Sequence, residues 1–188
     1  MKRMRNFSNW NRLLAVVLLG SVAGVVACRK AAAPAVEDTS AKPMTAEQRK
    51  AAHIPVIRPQ PRNIYPSIND APGDLKAALK EAKADHKRII LDFGGDWCGD
   101  CQVLDVYFRQ SPNDDLLDKN FVKVNINIGH EDANTDIAHK YGVPLHGVPA
   151  LAVLDANGKV LFSQDTQFSD MRYMEAQSVT DFLNKWKG

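Results

Sequence analysis

The sequence lacks several features that would assign it to a common class. It has no internal repeat and none of the biased composition found in fibrous or disordered chains. No basic patch or stripe marks a nucleic-acid surface, so we expect no nucleic-acid partner. The 188 residues, 45% apolar and 24% charged, instead fit one globular domain with some additional chain.

Acidic residues are missing from the first 27 positions. This segment carries Lys2, Arg3, Arg5 and Arg12, followed by the mostly apolar run Leu13–Ala27. A basic start and an apolar run predict an export signal peptide over residues 1–27. The run has fifteen residues, too few for an ordinary membrane span. Without this segment, 20 basic residues stand against 22 acidic ones, a net charge of about −2.

The apolar run leads into "VVAC", Val25–Cys28, which resembles the lipobox of bacterial lipoproteins. The resemblance implies that Cys28 carries a lipid on its sulfur and becomes the mature N-terminus, at the periplasmic face of a membrane. Arg29, and not aspartate, follows the cysteine. This implies sorting to the outer membrane in preference to the inner one. The alternatives are an ordinary signal peptide cut near Ala27 and an uncleaved anchor.

Residues 28–63 lack a sustained apolar period. Seven of the ten prolines lie in this stretch or within ten residues after it. We interpret it as a lipidated N-terminus and flexible tether, with a short helix opened by Thr45 and Gln48 at capping-box spacing. Its end, Ile54–Pro66, is less polar and either docks on the domain or stays solvated. The globular domain is predicted to span residues 64–188.

Helix and strand patterns alternate along this domain. Strand, helix and strand in succession predict a parallel pair of strands within an α/β fold. The Asn-Gly dipeptide in the turn Asp155–Gly158 predicts a β-hairpin. The predicted order is helix, strand, helix, strand, helix, hairpin and helix, carried by residues 75–82, 88–93, 101–108, 121–128, 132–141, 149–163 and 179–186.

Two cysteines, Cys98 and Cys101, stand two residues apart where a predicted strand passes into a helix. A helix N-terminus stabilises negative charge, which favours a nucleophilic thiolate on Cys98. Cys101, one turn further in, is placed to attack a mixed disulfide formed by Cys98. Asp92 at the end of the strand is expected to be poorly solvated. Its pKa should therefore be raised, which suits it to move a proton to or from Cys101.

The spacing of this pair also fits two other structures. Two cysteines at this spacing can be half of a tetrahedral zinc site. A histidine such as His130, His139 or His146 would then have to complete the site. It also fits a structural disulfide, although so short a loop constrains the unfolded chain only weakly. A non-catalytic binding module for a metal ion or a partner protein is therefore the alternative to an enzyme.

The segment "DFGGDWCGDC", together with "KYGV" and the "GVP" before the hairpin, resembles the thioredoxin family over residues 64–188. The resemblance implies a thioredoxin-like fold with a central mixed β-sheet flanked by helices. It implies a thiol–disulfide oxidoreductase whose redox group is the Cys98–Cys101 pair, with no other cofactor and no metal. The implied partners are protein thiol or disulfide substrates and an upstream redox partner.

The same resemblance assigns roles to residues around the pair. Trp97, Val148 and Pro149 match substrate-contacting positions, with Pro149 in the loop where the family has a cis-proline. Lys123 matches a lysine near the buried carboxylate, Asp92, and is expected at most to tune it.

Asp100 stands where thioredoxin has proline. A carboxylate there, with Asp96 nearby, should disfavour negative charge on the Cys98 sulfur. A less stabilised thiolate means a less stabilised reduced form, and hence a lower potential than that of the strong periplasmic oxidants. The sequence therefore favours a reductase or isomerase.

Overall fold

The structure is a computed structural model of the chain, and it describes residues 42–164 and 166–188. The predicted signal peptide and the predicted lipidation site, Cys28, lie outside the described residues. Within the described ranges, no helix has both the length and the apolar character needed to cross a bilayer.

Four strands form one mixed sheet: β1 (Arg88–Gly94), β2 (Phe121–Asn127), β3 (Ala150–Leu154) and β4 (Val160–Gln164). Their order across the sheet is β2, β1, β3, β4. Strand β1 pairs in parallel with β2, as the strand-helix-strand pattern predicts, and antiparallel with β3, which pairs antiparallel with β4. The mixed β-sheet of an α/β fold, predicted from the sequence, is confirmed.

Helices pack on both faces of this sheet. Ile89 and Leu91 of β1 belong to one buried apolar cluster, and Ile90 belongs to another. Alternate residues of a strand point to opposite faces, so the two clusters lie on opposite sides of the sheet. The helices are α1 (Ala46–Ala51), α2 (Ala71–Asp85), α3 (Gly99–Phe108), α4 (Asn113–Asn120), α5 (Thr135–Lys140) and α6 (Gln177–Trp186), with 3₁₀ turns at Ile68–Asp70 and Met171–Tyr173.

Helix α4 is missing from the sequence prediction. Its apolar residues are Leu116 and Leu117 alone, too few to make a helical period. Asn113, which is 1% exposed, instead fixes the helix. Its amide nitrogen donates to Tyr107 O at 2.9 Å, and its amide oxygen accepts from the Thr180 hydroxyl at 2.7 Å. The position of α4 therefore depends on hydrogen bonds to α3 and α6 and not on an apolar pattern of its own.

Residues 42–66, named here the N-terminal strap, lie against the domain. Helix α1 begins with the predicted capping box, in which Thr45 and Gln48 bond each other's backbone. Arg49 of this helix donates to Tyr173 O at 3.1 Å and pairs with Glu175 at 2.8 Å. These bonds fix the start of the strap to the segment that precedes α6.

The proline-rich end of the strap docks, which decides between the two interpretations of Ile54–Pro66. Asn125 Nδ2 donates to Ile64 O at 2.6 Å, and Asn127 Nδ2 donates to Pro66 O at 2.8 Å. Both asparagines belong to the polar face of β2, which therefore binds a chain segment. Residues 42–63, predicted to be flexible tether, thus belong to the same compact unit as the domain.

Candidate active site

The two cysteines lie at the start of α3 and are joined in a disulfide. Cys98 is the N-cap of this helix, and its Sγ accepts the backbone N–H of Cys101 at 3.1 Å. Cys98 keeps 5% of its surface exposed, whereas Cys101 keeps none. Cys98 is therefore the outer sulfur of the pair, the one that a client sulfur can reach.

The loop before β3 lies beside this outer sulfur. Its Val148–Pro149 peptide bond is cis. Val148 O lies 3.7 Å from Cys98 Sγ, and the Val148 side chain packs against the two cysteines. The predicted substrate-contacting residues of this loop are thus next to the disulfide.

Trp97 precedes the disulfide on the surface, and 48% of it is exposed. Its indole Nε1 donates to Gly129 O at 2.6 Å. Its ring stacks on His130 with centroids 5.5 Å apart. The loop after β2 therefore holds a large exposed aromatic surface beside Cys98.

Asp92 is buried in β1 beneath the helix that carries the cysteines. Tyr65 donates its hydroxyl to Asp92 Oδ1 at 2.9 Å, and Lys123 Nζ lies 3.4 Å from Oδ2. Burial raises the pKa of Asp92, while the Lys123 cation and the Tyr65 hydrogen bond partly oppose the rise. The direction agrees with the sequence expectation, and Lys123 is a direct partner of the carboxylate.

Tyr65 connects this carboxylate to the cysteine pair. Its side chain packs in one buried cluster with Cys98 and Cys101. A Cβ on Gly94 would lie 2.4 Å from the Tyr65 hydroxyl oxygen and 2.7 Å from Cys101 Sγ. Both atoms crowd the same point, so a residue larger than glycine does not fit at position 94. Sequence reasoning missed Tyr65 because the proline-rich strap has no periodicity that marks buried residues.

The end of the strap is bonded to the loop that carries the motif. Asp96 Oδ1 accepts the backbone N–H groups of Ile64 at 2.8 Å and Tyr65 at 3.0 Å. Gln102 Nε2 donates to Arg62 O at 2.7 Å and to Asp96 O at 3.1 Å. The sequence predicts that Asp96 acts on the thiolate. In the structure its carboxylate binds two backbone N–H groups of the strap.

Asp100, expected from the sequence to tune the Cys98 thiolate, is paired with Arg172. Its carboxylate accepts from the Arg172 backbone N–H at 2.8 Å and from Arg172 Nε at 3.1 Å. The Arg172 side chain lies 3.6 Å from the position that a Cβ on Gly99 would occupy, between the two cysteines. The paired cation opposes the carboxylate's field at the Cys98 sulfur. The effect of Asp100 on the potential therefore stays a prediction, and sequence spacing did not reveal its partner.

A groove of about 360 Å³ opens beside the disulfide. Trp97, Gly99 and Arg172 line it from the domain, and Pro55 and Pro59 line it from the strap. No group of three or more His, Cys, Asp or Glu side chains is arranged to hold a metal ion within residues 42–164 and 166–188. The histidines considered for a zinc site do not complete one with the cysteine pair there.

Comparison with known proteins relates this geometry to a family. A family model described as thioredoxin-like matches residues 70–156. A thioredoxin from Mycoplasma genitalium is 34% identical over 77 residues, covering 41% of this chain and 68% of that protein. The chain belongs to the thioredoxin-like family. With its Cys98–Cys101 disulfide, this thioredoxin-like protein is a thiol–disulfide oxidoreductase.

Two further relatives resemble the thioredoxin-like domain. The structure of a disulphide isomerase from Xylella fastidiosa Temecula1 matches with a TM-score of 0.63 and 35% identity, covering 66% of this chain and 96% of that one. The thiol:disulfide interchange protein DsbD of Pseudomonas fluorescens is 24% identical over 118 residues. This match covers 62% of the present chain and 18% of DsbD.

Replacing Asp92 by Asn should stabilise the oxidised protein in a pH-dependent way. The pKa of an Asp in an unfolded chain is about 3.9. Because folding raises the pKa of Asp92, the stability it contributes is complete below that pH and is lost as the pH rises through the folded value. The free energy of unfolding of Asp92→Asn should therefore exceed that of wild type by an amount that grows above about pH 4 and then levels off.

Urea unfolding across pH 3 to 9 measures this difference. Asp155→Asn is the matched control, because backbone N–H groups in the hairpin turn lower the pKa of Asp155. Its stabilising contribution is present at neutral pH and is lost on acidification, so this variant should be destabilised at neutral pH. A pH-independent effect of Asp92→Asn would contradict the prediction.

Proposed function

We propose that this protein is a membrane-anchored extracytoplasmic enzyme that reduces or isomerises protein disulfides through its Cys98–Cys101 dithiol. The observation that carries the proposal is the disulfide at the start of α3, whose outer sulfur lies 3.7 Å from Val148 O in the cis-proline loop. The similarity to a disulphide isomerase over 96% of that chain supports the same chemistry.

The first step of reduction uses the outer sulfur. The Cys98 thiolate attacks one sulfur of a client disulfide and forms a mixed disulfide, and the other client sulfur leaves as a thiolate that takes a proton from solvent. Unpaired amides at the start of α3 stabilise the attacking thiolate. The exposed face of Trp97 and the backbone at Val148 are the surfaces that meet the client.

The second step uses the inner sulfur. Cys101 loses its proton and attacks Cys98 Sγ, which closes the enzyme disulfide and releases the second client sulfur. Asp92, with its raised pKa, accepts the proton from Cys101. A reductase is then reduced again by an upstream redox partner. In isomerisation, another client thiol displaces Cys98 from the mixed disulfide instead.

Replacing Cys101 by Ser should trap client proteins on Cys98. Without the resolving sulfur, the mixed disulfide persists, since only an external thiol can release it. Non-reducing electrophoresis and mass spectrometry of the captured species measure this, with Cys98→Ser as the control that captures nothing. Metal that co-purifies with wild type and is lost in Cys98→Ser, without any trapped client, would favour a binding module.

The direction of electron flow is tested by the redox midpoint in glutathione buffers. We expect a midpoint in the range of isomerases and thioredoxin, roughly −180 to −270 mV, and a value near −120 mV would contradict a reductase or isomerase.

Arg172→Gln should lower the midpoint, because an uncompensated Asp100 carboxylate disfavours the Cys98 thiolate. Each tenfold change in the equilibrium constant shifts it by about 30 mV. Arg109→Gln, whose cation pairs with Asp105, serves as the control.

Membrane attachment through a lipid on Cys28 is part of the proposal and is supported by the "VVAC" motif. Cys28→Ser should abolish incorporation of labelled palmitate and release the protein from the membrane fraction. Arg29→Asp should redirect the lipoprotein from the outer to the inner membrane. Fractionation of a two-membrane bacterium measures both, and palmitate labelling that survives Cys28→Ser would overturn the assignment.

A further inference from the structure

Tyr65 is a buried phenol at the end of the strap. It is 6% exposed, and its hydroxyl donates to Asp92 Oδ1 at 2.9 Å. Burial, followed by the negative charge of Asp92, raises the pKa of Tyr65 well above its ordinary value. The phenol therefore stays protonated at physiological pH and acts as a hydrogen-bond donor to the carboxylate.

The resolving sulfur lies near the same hydroxyl. The Tyr65 oxygen and Cys101 Sγ lie 2.4 and 2.7 Å from a single point, the Cβ position of Gly94. The Tyr65 hydroxyl donates its proton in the hydrogen bond to Asp92, and its oxygen keeps lone pairs that can accept a proton from a thiol. Cys101 has no exposed surface, so bulk water does not reach its sulfur directly.

We propose that Tyr65 carries the proton between Cys101 and Asp92 in the resolving step. This inference rests on the proposed thiol–disulfide exchange and adds a residue to it. The Cys101 S–H proton passes to the phenol oxygen as the phenol proton passes to Asp92 Oδ1. The sulfur electron pair forms the bond to Cys98 Sγ, and the bond from Cys98 to the client breaks. The dithiol is oxidised, and the client sulfur leaves reduced, taking a proton from solvent.

Charged groups on β2, on α3 and in the loop before α3 act on this relay. Lys123 of β2 favours the ionised form of Asp92, whereas Asp105 of α3 opposes it. Asp96, in the loop before α3, and Asp105 both act on Tyr65. All three remain when the hydroxyl alone is removed. A change in the pH profile on removing it therefore reports on the hydroxyl itself.

The test compares two buried tyrosines. Tyr65→Phe removes the hydroxyl of the relay, and Tyr107→Phe removes the hydroxyl of another buried tyrosine, which donates to Met174 O at 2.9 Å outside the cysteine cluster. The full chain, reduced and held in detergent, is mixed with oxidised glutathione. Acid quenching and mass spectrometry then follow the Cys98–glutathione mixed disulfide as it forms and resolves at each pH.

We expect Tyr65→Phe to form the mixed disulfide at the wild-type rate and to resolve it about 10²-fold more slowly, the lower end of what a positioned acid or base contributes. Resolution should then rise about tenfold per pH unit, because Cys101 has to ionise without the relay. Tyr107→Phe should match wild type in both steps. Adding Tyr65→Phe to Asp92→Asn should slow resolution no further, since both substitutions interrupt one proton path.

A folded Tyr65→Phe that resolves at the wild-type rate with the wild-type pH profile overturns the inference alone. Additive effects of Tyr65→Phe and Asp92→Asn overturn it as well, since they would mean two separate paths. Wild-type protein that forms no mixed disulfide with glutathione overturns the proposed function, and the inference with it.

Hydrogen exchange at the Ile64 and Tyr65 amides shows whether the strap stays docked in each variant. If it detaches in Tyr65→Phe, the comparison of Asp92→Asn with wild type decides, and resolution at the wild-type rate in Asp92→Asn overturns the inference.

Discussion

The burial of one carboxyl group, Asp92, constrains how the surrounding structure is assembled. A charge in the middle of a covered strand is costly unless it has partners. Neither of its two side-chain partners comes from β1 itself. Lys123 comes from the neighbouring β2, and Tyr65 comes from a segment 27 positions earlier in the chain. The pairing of β1 with β2 and the docking of the strap are both needed to satisfy this group.

The strap is in turn held by polar groups that surround the redox pair. Asp96 binds the backbone of Ile64 and Tyr65, while Gln102 binds that of Arg62. These two side chains lie on either side of the cysteines in sequence. The motif that supplies the sulfurs therefore also supplies the groups that bring Tyr65 to them. Asp100, between the two cysteines in sequence, likewise has a partner from far along the chain, because it pairs with Arg172.

Much of the fold could be predicted because its elements carry local patterns. The covered strand β1, the amphipathic helices α2 and α6, the Asn-Gly hairpin and the Thr45 capping box all follow from spacing. The position of the cysteine pair at the start of a helix could also be predicted from the sequence. Helix α4 was not, since Asn113 fixes it through tertiary bonds. The roles of Tyr65 and Arg172 were hidden for the same reason: each partner lies far away in sequence.

The docked strap changes how far the redox site can be carried from an anchor. For a chain held at Cys28, the link to the first residue of the strap, Lys42, is 14 residues and spans at most about 50 Å when fully extended. A free tether running to Ile64 would have 36 residues and a limit of about 130 Å. The docked strap thus shortens the maximum length of the linker between Cys28 and the domain by more than half. Under the proposed lipidation of Cys28, clients would have to meet the enzyme within this shorter distance of the bilayer surface.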